Sequence, residues 1–219
     1  MNIMKYIIKG RFLWVLVFLF SCNKFTVVDT PTQVGISSVT YYVVFTLNGP
    51  EVQSVVVGTP YTDPGAKAEE NGQPVQYTTT GSVDINTVGF YPITYTAVNK
   101  DGYSSSITRY VAVLAEAAQP GVDLTGTYTN VGSLALTADI TKVASGVFYT
   151  TNGWGGASAF VLPMYFFCTD GANITVPTQS SVGETVDGTG TISNTGLIVW
   201  NLTLHENPPI NRTKSWQKH

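Results

Sequence analysis

Histidine and cysteine are almost missing from this chain of 219 residues, with two of each: His205 and His219, Cys22 and Cys168. So few soft ligands exclude a zinc centre, which needs several Cys and His at close spacing. A nucleophilic triad needs a histidine beside a serine or cysteine, and no Gly-x-Ser-x-Gly elbow is present. Charge is also scarce: Asp, Glu, Lys and Arg make up 11% of the chain, against roughly 25% in ordinary globular proteins. A glycosidase needs paired carboxylates about 5 to 9.5 Å apart. The second half offers Asp123, Asp139, Asp170, Glu184, Asp187 and Glu206, none in an apolar context that would raise its pKa. The chain is therefore expected not to be an enzyme and to need no metal and no cofactor. Helical patterning is missing too, since no stretch sustains a 3.6-residue apolar period with caps at both ends.

The first residues hold the most directive signal. Lys5, Lys9 and Arg11 lead into the nine-residue apolar run Phe12 to Phe20, and Leu19-Phe20-Ser21-Cys22 follows. A membrane-spanning helix takes about 20 residues, so the run reads as the apolar region of a secretory signal. The four residues ending at Cys22 resemble the lipobox of bacterial lipoproteins, although Phe20 departs from the small or hydroxylated residue common there. The resemblance implies removal of residues 1–21 and a diacylglyceryl group on Cys22, which anchors the protein to a membrane by lipid. The alternative is an ordinary cysteine near a signal. With Cys22 lipidated, Cys168 is the remaining thiol, no intramolecular disulfide can form, and Cys168 reads as a buried, inert residue at the end of an apolar run.

Without residues 1–21 the chain keeps eight basic against fourteen acidic residues, a net charge of −6. Nucleic acid needs a basic face, so no nucleic-acid partner is expected. Gly, Thr, Ser, Val and Tyr are abundant, and such a neutral, hydroxyl-rich surface suits contact with uncharged polar ligands such as sugars; plain β-rich composition is the simpler account of it.

Residues 22–37 carry Thr, Pro and Asp without a hydrophobic period and read as the lipid anchor and tether. Two β-rich units follow, 38–115 and 121–205, divided at the Ala/Gln/Pro/Gly segment after Leu114. In the first, Val39 to Thr46 and Val52 to Val57 read as strands on either side of the Asn48-Gly49-Pro50 turn. Phe90 to Val98 alternates, with Ile93, Tyr95 and Ala97 on one face, and Asn99-Lys100-Asp101-Gly102 turns it into Tyr103 to Leu114 as a hairpin. Short strands with frequent turns point to an immunoglobulin-like sandwich. Gly58-Thr59-Pro60-Tyr61-Thr62-Asp63-Pro64-Gly65-Ala66, Gly81 to Gly89 and Tyr91 to Ala97 together resemble the Ig-like repeats of bacterial surface proteins. That resemblance implies a spacer or binding module with no activity attached. Asp63 before Pro64-Gly65 reads as a turn cap for backbone N–H groups. A calcium ion gathered by Asp63, Glu69, Glu70, Asp84 and Asp101 is the alternative, without a recognisable loop spacing.

In the second unit Leu134, Leu136, Ala138 and Ile140 alternate, as do Ile198, Trp200, Leu202 and Leu204, so Trp200 reads as core. Gly183, Gly188, Gly190 and Gly196 read as turns or strand bends. The segments LTGTY from Leu124, GVFYTTNGWGG from Gly146 and GTGTISNTGLIVW from Gly188 resemble the C-terminal β-domain of uncharacterised gut-bacterial lipoproteins linked to polysaccharide-utilisation loci. Residues 206–219, with two prolines and three basic residues against one acid, read as a disordered tail.

The expectation is an all-β protein, an N-terminal Ig-like β-sandwich followed by a β-sandwich or small β-barrel, attached through Cys22 to the cell envelope. The expected role is non-catalytic polysaccharide binding at the bacterial surface. Trp154, set among glycines, would stack on a sugar ring, Tyr149 and Asn152 would donate hydrogen bonds, and Tyr165 is a further candidate. Against this stands a Trp154 that folds back as a plug. The alternative function is a structural spacer or interaction subunit of an outer-membrane assembly, with outer-membrane uptake proteins as partners.

Overall fold

Among the described residues, fifteen strands carry the fold. The computed structural model describes residues 39–156 and 160–219, so the signal segment, Cys22 and the tether lie outside the described residues, as does the side chain of Leu134. Residues 40–219 form one compact unit.

The first seven strands are β1 Val43–Leu47, β2 Val52–Val56, β3 Ala66–Glu70, β4 Gln73–Pro74, β5 Thr78–Thr80, β6 Gly89–Val98 and β7 Ser104–Leu114. They make two sheets, β1-β3-β4 and β2-β7-β6-β5, in an Ig-like sandwich. The β6–β7 hairpin is where the alternation puts it, with Ile93, Tyr95 and Ala97 buried. Its turn is organised by Asn99, whose side-chain oxygen accepts from the N–H groups of Asp101 at 3.1 Å and Tyr103 at 2.7 Å.

One polypeptide run supplies an edge strand to both sheets. β1 pairs antiparallel with β3, the chain breaks at Asn48-Gly49-Pro50, and β2 pairs parallel with β7. The break is held by Arg109, an inward-facing residue of β7 that is completely buried. Its guanidinium donates to the carbonyls of Pro50 at 3.1 Å, Asn48 at 3.0 Å and Gly65 at 3.0 Å. Its Nε faces Asp63 Oδ1 at 3.4 Å, in ion-pair range but off the line of a hydrogen bond. The Tyr95 hydroxyl donates to both Asp63 oxygens, at 2.7 and 2.8 Å. Asp63 therefore serves a buried cation and a phenol, and the expected backbone cap gives way to this role. Among the described residues no group of three or more His, Cys, Asp and Glu could hold a metal ion.

The remaining strands are β8 Gly126–Asn130, β9 Ser133–Ala144, β10 Val147–Thr150, β11 Met164–Phe167, β12 Asn173–Ser181, β13 Glu184–Ile192, β14 Leu197–Leu204 and β15 Ile210–Lys218. Each pairs antiparallel with the next, and β15 closes on β8, giving an eight-stranded up-and-down barrel. Of the two architectures the sequence left open for this unit, the structure has the barrel. An eight-stranded barrel is just wide enough for side chains to fill, and this one is filled: Tyr128, Ile140, Phe148, Leu162, Phe166, Ile198, Trp200 and Trp216 are among its buried residues. Gly190 makes room for the largest of them, since a Cβ there would lie 2.7 Å from Trp200 Cβ.

The tail overturns an expectation. Residues 210–218, expected to be disordered, form the closing strand, paired along its length with β14 and with Trp216 buried. The register explains why the strand was hidden. Ile210, Arg212, Lys214 and Trp216 face Leu204, Leu202, Trp200 and Ile198, all inward positions of β14. Two positions of β15 paired with inward residues of β14 are therefore cationic, Arg212 exposed and Lys214 half-buried, which erases the apolar alternation, and Lys214 reaches the Trp154 ring, its Nζ 5.2 Å from the centroid.

The link between the units is pinned as well. Gln119 N–H donates to the Thr169 carbonyl at 2.7 Å, and the Thr169 hydroxyl to Glu116 at 3.2 Å. Val52, Ala112 and Leu114 of the sandwich share a buried cluster with Val147 and Phe167 of the barrel.

Two outcomes follow from this architecture. Arg109→Ala leaves three carbonyls and Asp63 without their buried partner and is expected to lower urea-unfolding stability by about 3–5 kcal/mol, whereas the exposed Arg212→Ala shifts it by less than about 0.5 kcal/mol. Truncation after Glu206 strips β14 and β8 of their common neighbour, and the shortened chain is expected to lose cooperative thermal unfolding and aggregate.

Candidate functional site

The structure separates the four residues expected to form one binding site. Asn152 and Trp154 lie in the β10–β11 connection, which packs over one end of the barrel. Asn152 is buried, its amide donating to the Gly156 carbonyl at 3.2 Å and its side-chain oxygen accepting from Gly155 N–H at 3.0 Å. Trp154 is half-buried against the barrel core, edge-on to Phe160 with ring centroids 6.1 Å apart. The Gly153 carbonyl receives both indole N–H groups of the interior, from Trp200 at 3.0 Å and from Trp216 at 3.2 Å. The described part of this loop packs as a plug, with Asn152 bonded within the loop and the Gly153 carbonyl to the core.

Tyr149 and Tyr165 are brought together on the outer wall, rings 5.1 Å apart. There Tyr165 meets Phe90 at 4.7 Å and Tyr110 at 5.7 Å, and Phe90 stacks on Tyr110 at 4.9 Å with planes 2° apart. These four rings bridge sandwich and barrel. They follow from alternation: Phe90 on β6 and Tyr110 on β7 point away from the sandwich core, and Tyr149 and Tyr165 point away from the barrel core.

Beside this bridge a cleft of about 660 Å³ opens between β6 and the outer face of β12, β13 and β14. Phe90 and Tyr91 supply its aromatic side; Thr175, Thr178, Thr189, Asn201, Thr203 and Asp187 line the opposite wall. The Tyr91 hydroxyl donates to the Thr87 carbonyl at 2.8 Å, which fixes the ring. On the barrel wall, register sets Thr175 opposite Thr189 and Thr189 opposite Asn201, a row of short polar side chains across three strands. Asp187 is the acid of this wall; its Oδ2 lies 2.7 Å from His205 Nε2 and accepts from the Thr178 hydroxyl at 3.2 Å. Alternation alone marks Thr189, Asn201, Thr203 and His205 as outward. What no sequence pattern carries is that Tyr91, about a hundred residues earlier, faces them.

Burial governs the unusual acidities. Loss of solvent pushes the phenols of Tyr128 and Tyr165 up to about 12, and that of Tyr61 to about 12 with help from the Asp63 charge. Burial also raises the Cys168 thiol, which suits an inert core residue. Backbone N–H groups of Asn173 and Ala172 hold the Asp170 carboxyl down at about 2, where it caps the β11–β12 turn.

A phenol whose folded pKa is raised favours folding while it stays protonated, so its contribution is intact below the unfolded value of 10.0 and disappears as pH climbs toward about 12. The urea midpoint is therefore expected to fall across that window, in step with phenolate absorbance, and Tyr165→Phe is expected to flatten the fall; a midpoint constant over the window contradicts this.

Among curated proteins no match is found. A crystal structure of a lipoprotein from Bacteroides thetaiotaomicron is similar at 25% sequence identity, with 81% of this chain and 100% of that chain covered and a TM-score of 0.39. Residues 45–113, nearly the whole of the sandwich, match the family model for the Ig-like domain of bacterial surface proteins.

Proposed function

We propose that this chain is a lipid-anchored protein of the bacterial cell surface that binds an uncharged polysaccharide in the cleft between its Ig-like module and its barrel, without transforming it. The observation that carries this reading is the pairing, across about 660 Å³, of a fixed aromatic side with a wall of threonine and asparagine side chains. A pyranose offers the same two faces: C–H groups that pack on an aromatic ring, and equatorial hydroxyls that exchange hydrogen bonds with amides and hydroxyls. The match of residues 45–113 to a surface-protein domain supports the location, and the basic, apolar and Cys22 sequence at the N-terminus supports the anchor. With the barrel interior packed solid, the ligand meets an outer wall, where a long chain can pass through.

The test uses the mature protein on a panel of neutral plant, host and microbial polysaccharides, read by retention in affinity gels and by calorimetry. Tyr91→Ala is expected to weaken binding about tenfold, and Asn201→Ala about fivefold, the scale of one lost contact. Trp154→Ala is expected to reduce stability and leave affinity unchanged. Absence of retention across the panel discards the reading in favour of a structural spacer or a subunit that docks outer-membrane proteins.

A further inference from the structure

Tyr41, Tyr42 and Tyr103 stand strongly exposed, at 42%, 58% and 51% of their surface. Two of them meet, and Tyr41 is the chain neighbour of Tyr42. The rings of Tyr42 and Tyr103 stand 5.6 Å apart. The buried Asn99 ties the two segments together, its amide donating to the Tyr41 carbonyl at 2.7 Å and its side-chain oxygen accepting from the Tyr103 N–H at 2.7 Å. Val98, 54% exposed, extends the apolar surface. A buried asparagine thus holds a set of tyrosines in water, where their burial contributes nothing to the sandwich core.

Tyr41 and Tyr42 are also among the first residues of the folded unit that begins at Thr40. Residues 23–38 separate this unit from Cys22, and sixteen residues reach at most roughly 55 Å. We propose that the patch of Tyr41, Tyr42, Val98 and Tyr103 docks on the lipid headgroup interface of the membrane that holds the N-terminal lipid. The inference rests on the lipid anchor at Cys22 and is independent of any sugar ligand.

Tyrosine suits that occupant, since its ring enters the acyl boundary while the hydroxyl stays at headgroup level. The charges at the rim are engaged within the protein. Lys100 Nζ pairs with Asp101 at 2.9 Å, and a Glu70 oxygen accepts from Lys100 N–H at 3.0 Å. Attraction then comes from apolar burial, and salt leaves it unchanged. Three half-exposed rings are too small a surface for capture from dilute solution. A tether of this length keeps the patch at an effective concentration in the millimolar range at the bilayer, where weak contact suffices. Docking would set the direction in which the cleft faces.

The test takes the full mature chain with its lipid in phosphatidylcholine vesicles, with a nitroxide on Ser104→Cys beside the patch or on Thr189→Cys in the cleft wall. Cys168 is buried, so the added thiol takes the label. The Ser104 label is expected to gain oxygen collisions and lose access to a water-soluble nickel chelate on vesicles, at low and at high salt, while the Thr189 label keeps its aqueous access. Tyr42→Ser with Tyr103→Ser is expected to restore aqueous access at Ser104 in a protein that still floats with the vesicles. A floating protein whose Ser104 label is as water-accessible as its Thr189 label overturns the docking and leaves the anchor intact. A protein that does not float, with no lipid mass on its Cys22 peptide, overturns the anchor and the docking with it.

Discussion

A single buried guanidinium sets the geometry on which the rest of the molecule builds. Arg109 has no exposed surface, and it binds three backbone carbonyls at the point where the first edge of the sandwich changes sheets. A fork of fixed N–H groups can satisfy three carbonyls and face a carboxylate at once, which an ammonium cannot do with the same geometry. Because the break is fixed, β2 lies parallel on β7, and Val52 on β2 reaches the cluster shared with the barrel. The Asp63-Pro64-Gly65 turn is the other half of the clamp: Gly65 contributes a carbonyl and Asp63 the counter-charge.

The barrel is closed by a comparable economy of polar groups. Two indoles in an apolar interior each need an acceptor, and one loop carbonyl, that of Gly153, serves both. The loop that carries Gly153 must then lie on the barrel end, which is why Trp154 packs inward against the core beneath Lys214. The interior is spent on stability. On the outer wall the hydroxyls of β12, β13 and β14 and the Asn201 amide meet the aromatic edge of the sandwich.

The two modules are thus parts of one device. The stacked rings of Phe90 and Tyr110 are shared with Tyr165, and the hydrogen bonds of Gln119 and Glu116 to Thr169 leave little play in the connection. A cleft whose walls belong to different modules keeps its width only when such a bridge is rigid.

The sequence by itself determined the β character, the β6–β7 hairpin, the Ig-like module and the inward face of β14, because each rests on local alternation or on a turn only a few residues will make. The role of Arg109 came from the structure, since alternation places it between Ile107 and Val111 without saying what a cation there would bind. Tertiary structure alone decided three further things. It made the last residues a strand, since Arg212 and Lys214 pair with inward residues of β14 and so break the apolar pattern in the sequence. It made Trp154 part of a plug, since whether an indole in a glycine-rich loop is buried depends on an acceptor-seeking core far along the chain. And it placed the cleft, because alternation tells which side chains point outward but not which other surface they will face.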